Sequence, residues 1–444
     1  MGYLINYNNF TMAILFLLFI VTVASVSSNP SSDRELFKLF ITTVEKYDQK
    51  SDLLSSTGNR AFKKEHFKAF KKSKETVDAI NQDSSTPYSA ELNRFSFLTA
   101  AERSLYLGFN STLLNSTPPE YPPEPNPTPR LLSNTLPGAV DWSKSAQNAI
   151  RLQGECSSCW AFSAVSTVEF GYMAATGDLI EFSDQEMLEC GFKCDADGRQ
   201  MDGCEGGYHY KGIVYVKEGN RLASLEDMPY QGRYPGSCTA DNYKNSLTKA
   251  KLDNFLFVRG DENVLGSVSK GVVAAGIGVS DKMYLYESGV YANDGSCASY
   301  GMNHAVNIVG YGVMEGRKYW KVRNSWGRRW GDAGHLNLDR EQRNMCNITK
   351  QCVSVSFKCT GKCNPPEFND DGSRKEGNGR DDKKSNDDKD KNDKREETNC
   401  KDKDFSGKPV TWNCGRWKRL GICKEDAFKP FLRINCPKTC FDCL

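Results

Sequence analysis

Histidine is nearly missing from this chain. Four occur among 444 residues (His66, His209, His304 and His335), and no two are adjacent. No Cys/His cluster stands at ligand spacing either, so neither a metal nor any other cofactor is expected. An excess of one charge is missing as well. The net charge of +2 is too small to draw nucleic acid or an anionic membrane, and no nucleic-acid partner is expected. Long apolar runs are almost absent. Met12 to Val26 is the single stretch of that kind, and Ser27, Ser28, Asn29 and Pro30 follow it at once. It is short for a bilayer span and suits a signal peptide over residues 1–28. The segment before it lacks Lys and Arg, which keeps a signal anchor as the alternative. The expected address is the secretory pathway, ending outside the cell or in a lysosomal or vesicular compartment.

Cysteine, by contrast, is plentiful. Seventeen in one chain point to an oxidising compartment, and the odd count leaves one thiol without a partner. The length predicts two or three folded units. From about Arg34 to Gln82 apolar positions recur among charged ones, as in amphipathic helices, with His66, Phe70, Ser73, Val77 and Asn81 on one face. An ordinary helical hairpin would show the same periodicity. Pro118, Pro119, Pro122, Pro123, Pro125, Pro127 and Pro129 then mark an extended, solvated connector where proteolytic nicking concentrates. Asn110 and Asn115 head glycosylation acceptors just before it, and Asn347 heads a third. Val306 to Gly312 and Lys318 to Val322 read as β-strands joined by a turn. Asn364 to Thr398 is charged with almost no apolar residue, which predicts a disordered linker. From Cys400 to Cys443 six cysteines crowd a block that disulfides rather than a core would hold.

The most informative run is Gln153-Gly154-Glu155-Cys156-Ser157-Ser158-Cys159-Trp160-Ala161-Phe162. It sets a cysteine at the start of an apolar helix, where unpaired N–H groups and the positive dipole end favour thiolate over thiol. Far downstream, Asn303-His304-Ala305 and Asn324-Ser325-Trp326-Gly327 can supply a base and the group that orients it. A rival reading takes Cys156-Ser157-Ser158-Cys159 as the C-x-x-C of a thioredoxin-like oxidoreductase, but the aromatic Trp160 follows the motif where that fold has one before it.

Together the three segments resemble the papain family of cysteine proteases, whose His and Asn lie about 130–150 residues or somewhat more after the Cys. The resemblance implies an α+β fold of two lobes, one helical and one β-barrel-like. It also implies a Cys159, His304, Asn324 triad with Gln153 as oxyanion donor, and Trp326 shielding the His–Asn hydrogen bond. Cys204-Glu205-Gly206-Gly207-Tyr208 is similar to the family's C-N-G-G segment, with Glu205 in place of Asn, so Gly206 and Gly207 would pair with substrate backbone. Tyr208, Met302 and Ala305 would line the pocket for the substrate's second residue. Ser157 stands where the family usually has Gly.

Further implications concern processing and architecture. The helical face ending at Asn81 is similar to the family's spaced E-R-F-N-I-N prosegment signature. Asn93-Arg94-Phe95-Ser96-Phe97 resembles the second signature, with Phe97 in place of Asp. Leu136 to Trp142 resembles a mature N-terminus, implying cleavage between about Arg130 and Leu136. The implied disulfides are Cys156–Cys204, Cys190–Cys238 and Cys297–Cys346, with Cys194, Cys352, Cys359 and Cys363 expected to form two more. The C-terminal block resembles the sea-anemone-toxin-like (ShKT) six-cysteine domain, which implies Cys400–Cys443, Cys414–Cys436 and Cys423–Cys440.

The expected order is signal peptide 1–28, inhibitory prosegment 29–116, activation linker 117–135, peptidase 136–363, charged linker 364–399 and ShKT-like domain 400–444. The expected function is a cysteine endopeptidase made as a zymogen. Its partners would be protein and peptide substrates, its own prosegment as inhibitor, and a surface or extracellular target for the C-terminal domain. The alternative is a non-catalytic secreted binding protein acting through that last domain.

Overall fold

The computed structural model describes residues 30–47, 64–109, 136–144, 147–191, 203–219, 221–292 and 295–375. The signal peptide, the Pro-rich connector, Asn110, Asn115, Cys194 and the ShKT-like block lie outside the described residues. The chain divides into two compact units, one of residues up to 75 with 92–98, the other of 76–91 and from 99 onward.

The first unit is built on two helices, α1 (Pro30–Tyr47) and most of α2 (Lys64–Gln82). Phe40, Val44, Phe70, Phe95 and Phe97 form its core, with the Phe40 ring edge-on to Phe70 at 5.3 Å and to Phe97 at 6.4 Å. Phe97 is thus a core side chain. The face predicted from spacing is buried at His66, Phe70 and Ser73. A turn at Asn93 is locked by side chains: its Oδ1 accepts the Phe95 N–H (2.9 Å), and Ser96 Oγ accepts the Asn93 N–H (2.8 Å).

The second unit begins in the last turns of α2. There Asn81 trades two hydrogen bonds with Ala90, at 2.8 and 2.9 Å, and fixes β1 (Tyr88–Ala90). A short helix α3 (Ala100–Ser104) follows, opened by a Thr99–Glu102 capping box. After β2 (Val140–Asp141) come the helices α4 (Cys159–Thr176), α5 (Asp184–Cys190) and α6 (His209–Gly219). Strands dominate from there: β3 (Ala250–Val258), helix α7 (Asp261–Val268), β4 (Val273–Ile277), β5 (Tyr286–Tyr291), helix α8 (Ser296–Ser299), β6 (His304–Met314), β7 (Arg317–Arg323), β8 (His335–Asp339) and β9 (Cys352–Cys359). The sheet order is β1-β5-β8-β7-β6-β4-β9-β3, with β2 on β6. Helices therefore come first and strands later, the α+β order expected from the sequence.

Helix α4 organises the unit. It is apolar nearly all round, so every face must be covered, and it lies buried between the other helices and the sheet. Gly177, in the left-handed region at φ 86°, stops it by donating its N–H to Met173. Polar side chains tie α4 to β6. Ser163 Oγ donates to the Val306 carbonyl (2.8 Å), and Asn307 Nδ2 donates to the Ser163 carbonyl (3.0 Å) and Thr167 Oγ1 (2.8 Å). The first residue of each tied element is a candidate site residue, Cys159 on α4 and His304 on β6. The β6–β7 hairpin turns at Glu315 and Gly316, both at positive φ.

Cys156–Cys204, Cys190–Cys238 and Cys297–Cys346 are bonded, and Cys359–Cys363 closes a fourth loop. Cys352 departs from expectation. Among the described residues it is a buried thiol without a disulfide partner, at the start of β9, registered against Val258 and Ala275 and hydrogen-bonded to the Ile348 carbonyl (3.2 Å). Pairing of Cys359 with its near neighbour leaves Cys352 walled in by strands. Residues 364–375, whose composition implies part of a disordered linker, instead fold back over Asp141, Trp142 and the end of α4. Asn364 N–H donates to Thr176, the Asp371 carbonyl accepts the Asp141 N–H (2.9 Å), and Phe368 packs edge-on to Trp142 at 5.2 Å. One aromatic in a charged run is enough when an indole offers it a face.

Candidate active site

Cys159 is the first residue of α4 and fully buried. Its Sγ accepts the Ala305 N–H at 3.3 Å, which sets the thiol beside the start of strand β6. The neighbouring His304 shares a 2.8 Å hydrogen bond between its Nε2 and Asn324 Oδ1, so the Asn carbonyl oxygen accepts from the ring. Among the described residues His304 Nδ1 has no partner. Asn324 directly follows β7, and its Oδ1 also receives the Ser325 N–H (2.7 Å). The Trp326 indole stacks on the imidazole at 4.8 Å and covers the ring.

Burial decides the charge state of this pair. Desolvation pushes the Cys159 thiol up to about 12, against three N–H contacts that favour the thiolate. The same burial pulls His304 down to about 4, against the Asn324 hydrogen bond. The resemblance implies a thiolate–imidazolium pair waiting for substrate; in the covered cleft both groups are neutral.

The cover is residues 103–109. The Tyr106 carbonyl accepts the Trp326 indole N–H (3.1 Å), and Gly108 and Phe109 both donate to the Asn303 carbonyl at 3.1 Å. Gly207 N–H donates to the Gly108 carbonyl at 2.8 Å, in a parallel bridge between Phe109 and Gly207. A side chain at Gly108 has no room, since a Cβ there would meet the Ser157 carbonyl oxygen at 2.1 Å. The Phe109 ring lies against Tyr208 (4.8 Å) and His209 (5.4 Å). A Cβ at Gly276 would come within 3.0 Å of its Cζ and 3.1 Å of Met302 Sδ. Gly207, Tyr208 and Met302 are thus together around one aromatic occupant. Ala305 stands on the thiol side, and Gly206 forms the turn at φ 106°.

Gln153 is buried and held on several sides. Its N–H donates to the Ser325 carbonyl (2.9 Å), its Oε1 accepts the Ser325 hydroxyl (2.6 Å), and its Nε2 donates to the Cys156 carbonyl (3.0 Å). Among the described residues Nε2 makes this one hydrogen bond, out of the two its amide can donate. Arg323 supports the same loop by donating to the Asn148 (2.6 Å) and Ala149 (2.7 Å) carbonyls. Behind it, Arg151 pairs with Glu169 and with Asp184 (2.6 Å), so charges from the loop, α4 and α5 are joined in one buried cluster. Ser325, Asn303 as a backbone acceptor and Phe109 are the site members that motif reading missed. Ser325 sits inside the Asn324 motif and was in view, whereas nothing in the residues around Phe109 marks it as a pocket occupant.

The third glycosylation pattern is closed off. Thr349 is buried with its hydroxyl on Asp261 (2.8 Å), and Asn347 Nδ2 donates to the Ala298 carbonyl (2.9 Å).

A helix-terminal thiol held by the Ala305 N–H next to an amide-held imidazole, with a glycine edge that pairs with the backbone at Gly108, is the equipment of a thiol-dependent peptidase. Comparison with known proteins gives the same class. The papain family cysteine protease profile matches residues 136–356, and a ShK domain-like profile matches residues 399–443. Fruit bromelain of Ananas comosus is 32% identical over 283 residues, spanning 63% of this chain and 75% of that one. Cysteine proteinase EP-B 1 of Hordeum vulgare is 33% identical over 291 residues, 64% and 75% of the two chains. The crystal structure of the ragweed pollen cysteine protease Amb a 11 in its proform superposes with a TM-score of 0.62 at 28% identity, covering 73% of this chain and 94% of that one. The chain belongs to the papain family of cysteine proteases and is a cysteine-type endopeptidase with a ShK-like C-terminal region.

Proposed function

We propose that Cys159 is the nucleophile, His304 the general base and acid, Asn324 the group that orients it, and Gln153 the side-chain oxyanion donor. One observation carries the reading. The Asn324 hydrogen bond holds His304 by Nε2, and the Ala305 N–H holds the Cys159 sulfur nearby, so the unpartnered Nδ1 is left for the thiol proton.

With the cleft open, water returns and the burial penalty on both groups falls, so the proton moves from Cys159 Sγ to His304 Nδ1. The thiolate attacks the scissile carbonyl and forms a C–S bond while the carbonyl π pair moves to oxygen. Gln153 Nε2–H and the Cys159 N–H stabilise that oxyanion. The imidazolium gives its proton to the leaving amine as the C–N bond breaks. In the second half His304 takes a proton from water, the hydroxide attacks the acyl-thioester, and the C–S bond breaks to regenerate the thiol. Gly207 and the Asn303 carbonyl would pair with substrate backbone as they now pair with Gly108 and Phe109, and Tyr208, Met302 and Ala305 would line the pocket for an apolar side chain.

The segment through Phe109 supports manufacture as a zymogen, activated by cleavage between about Arg130 and Leu136 and directed to the secretory pathway by residues 1–28. The 400–444 block would serve binding or localisation. The test is hydrolysis of a small peptide by the mature enzyme. Cys159→Ser and His304→Ala should each abolish it with folding retained, and full activity in either would remove that residue from its role.

A further inference from the structure

The loop from Gln153 to Ser158 carries both proposed oxyanion donors, one at each end. Gln153 supplies its side-chain amide. Ser158 supplies the carbonyl half of the peptide whose N–H belongs to Cys159. A single phenol spans the two ends. The Tyr230 hydroxyl donates to the Gln153 carbonyl at 2.7 Å and lies 2.7 Å from Ser158 Oγ. With its one proton on the Gln153 carbonyl, the Tyr230 oxygen accepts from Ser158, whose hydroxyl has the Cys156 carbonyl as a longer second acceptor at 3.3 Å. The ring is fixed independently, edge-on to Phe162 at 4.8 Å. Its chain neighbours are pinned to α5: the Met228 carbonyl accepts the Ser183 hydroxyl (2.7 Å), and the Gln231 N–H donates to Gln185 Oε1 (2.8 Å). The brace therefore rests on a helix that takes no part in the reaction. Burial keeps the phenol protonated, so the donor is always present.

We infer that Tyr230 is a positioning residue that sets the spacing between the Gln153 amide and the Cys159 N–H through its hydrogen bonds to Gln153 and Ser158. The inference rests on the oxyanion role of Gln153 proposed above. An oxyanion hole works by donors fixed before charge develops, so spacing matters in the transition state and little in substrate binding. Without the hydroxyl, the buried Gln153 carbonyl loses a partner and the loop can relax to recover one.

The test uses full-length enzyme, activated, with Tyr230→Phe, Gln153→Ala and the double variant. Tyr230→Phe keeps the ring against Phe162. It should lower kcat about tenfold with KM within about twofold, the range expected for misplacing rather than deleting a donor. Affinity for a peptide aldehyde, whose hemithioacetal oxygen enters the hole, should fall by about the same factor. The rate of Cys159 alkylation by iodoacetamide should be unchanged, since no acyl oxyanion forms there. The double variant should be only slightly worse than Gln153→Ala. Unchanged kcat in Tyr230→Phe overturns the inference, and so does a parallel fall in kcat and alkylation, which would make Tyr230 a support of the fold. If Tyr230→Phe does not fold, Ser158→Ala removes the other end of the brace. It should lower kcat severalfold with alkylation unchanged, and full kcat in it overturns the inference. Full activity in Gln153→Ala would instead overturn the oxyanion reading itself.

Discussion

Replacing Phe109 by alanine should raise the residual activity of the unprocessed chain about a hundredfold. The side chain is 5% exposed, with its ring against Tyr208 and His209 and its edge over Gly276. Alanine keeps the backbone hydrogen bonds to Asn303 and Gly207 and removes only the ring. Burying a Phe side chain is worth about 1.5–3 kcal/mol, and its aromatic contacts add about 0.5–1.5 kcal/mol. A loss of about 3 kcal/mol from the closed state, at 1.4 kcal/mol per decade, shifts the open fraction roughly a hundredfold. The assay is initial turnover of a small fluorogenic peptide by a precursor whose 117–135 connector has been made uncleavable, read against the mature enzyme. Residual activity within twofold of the unaltered precursor would refute the reasoning, because the pocket occupant would then contribute nothing to closure.

Three further outcomes follow from the same geometry. Closure should weaken in acid: burial holds His209, stacked on Phe109, at about 3, below the ordinary 6.5, so only an opened cleft protonates it as pH falls from about 6.5. Closure is then fully present above about 6.5 and lost toward 3, by at most about 1.4 kcal/mol per pH unit for that imidazole; His304 adds nothing to the slope, since on opening it already carries the proton released by Cys159. Precursor turnover that did not rise between pH 7 and 4.5 would count against it. Truncation after Lys375 should leave small-peptide turnover unchanged, whereas truncation after Cys363 removes Phe368 from Trp142 and should lower the melting temperature by several degrees. Equal melting temperatures would show that the 364–375 turn adds nothing. Disulfide mapping should find Cys352 as a free thiol once the protein is denatured under alkylating conditions, and a bridged Cys352 would contradict the pairing described.

The residues proposed to carry the chemistry are legible because motif spacing fixes them locally. Cys159 opens an apolar helix, His304 opens an apolar strand, and Asn324 closes the next one. The β6–β7 hairpin announced itself by strand alternation around Glu315 and Gly316. What stayed hidden depends on contacts between distant segments. Phe109 reaches a pocket made about 100 and 190 residues later in the chain, and no local pattern encodes that. Tyr230 acts through one hydroxyl, in a segment without periodicity. The linker at 364–375 was misread because composition counts apolar residues and cannot see that Phe368 has Trp142 to pack on. The thiolate is expected from the helix end and an adjacent imidazolium, and burial pushes the thiol the other way in the covered cleft.

The central claim is that Cys159 is the activated thiol of this endopeptidase, silent under the prosegment and reactive once the cleft opens. The most direct measurement is labelling by a thiol-directed peptidyl epoxide, before and after activation, with the modified residue located by mass spectrometry. The account predicts one label per activated chain, on Cys159, with parallel loss of peptide hydrolysis and little labelling of the precursor. Labelling elsewhere with activity lost, or rapid and complete labelling of Cys159 in the uncleaved chain, would contradict it.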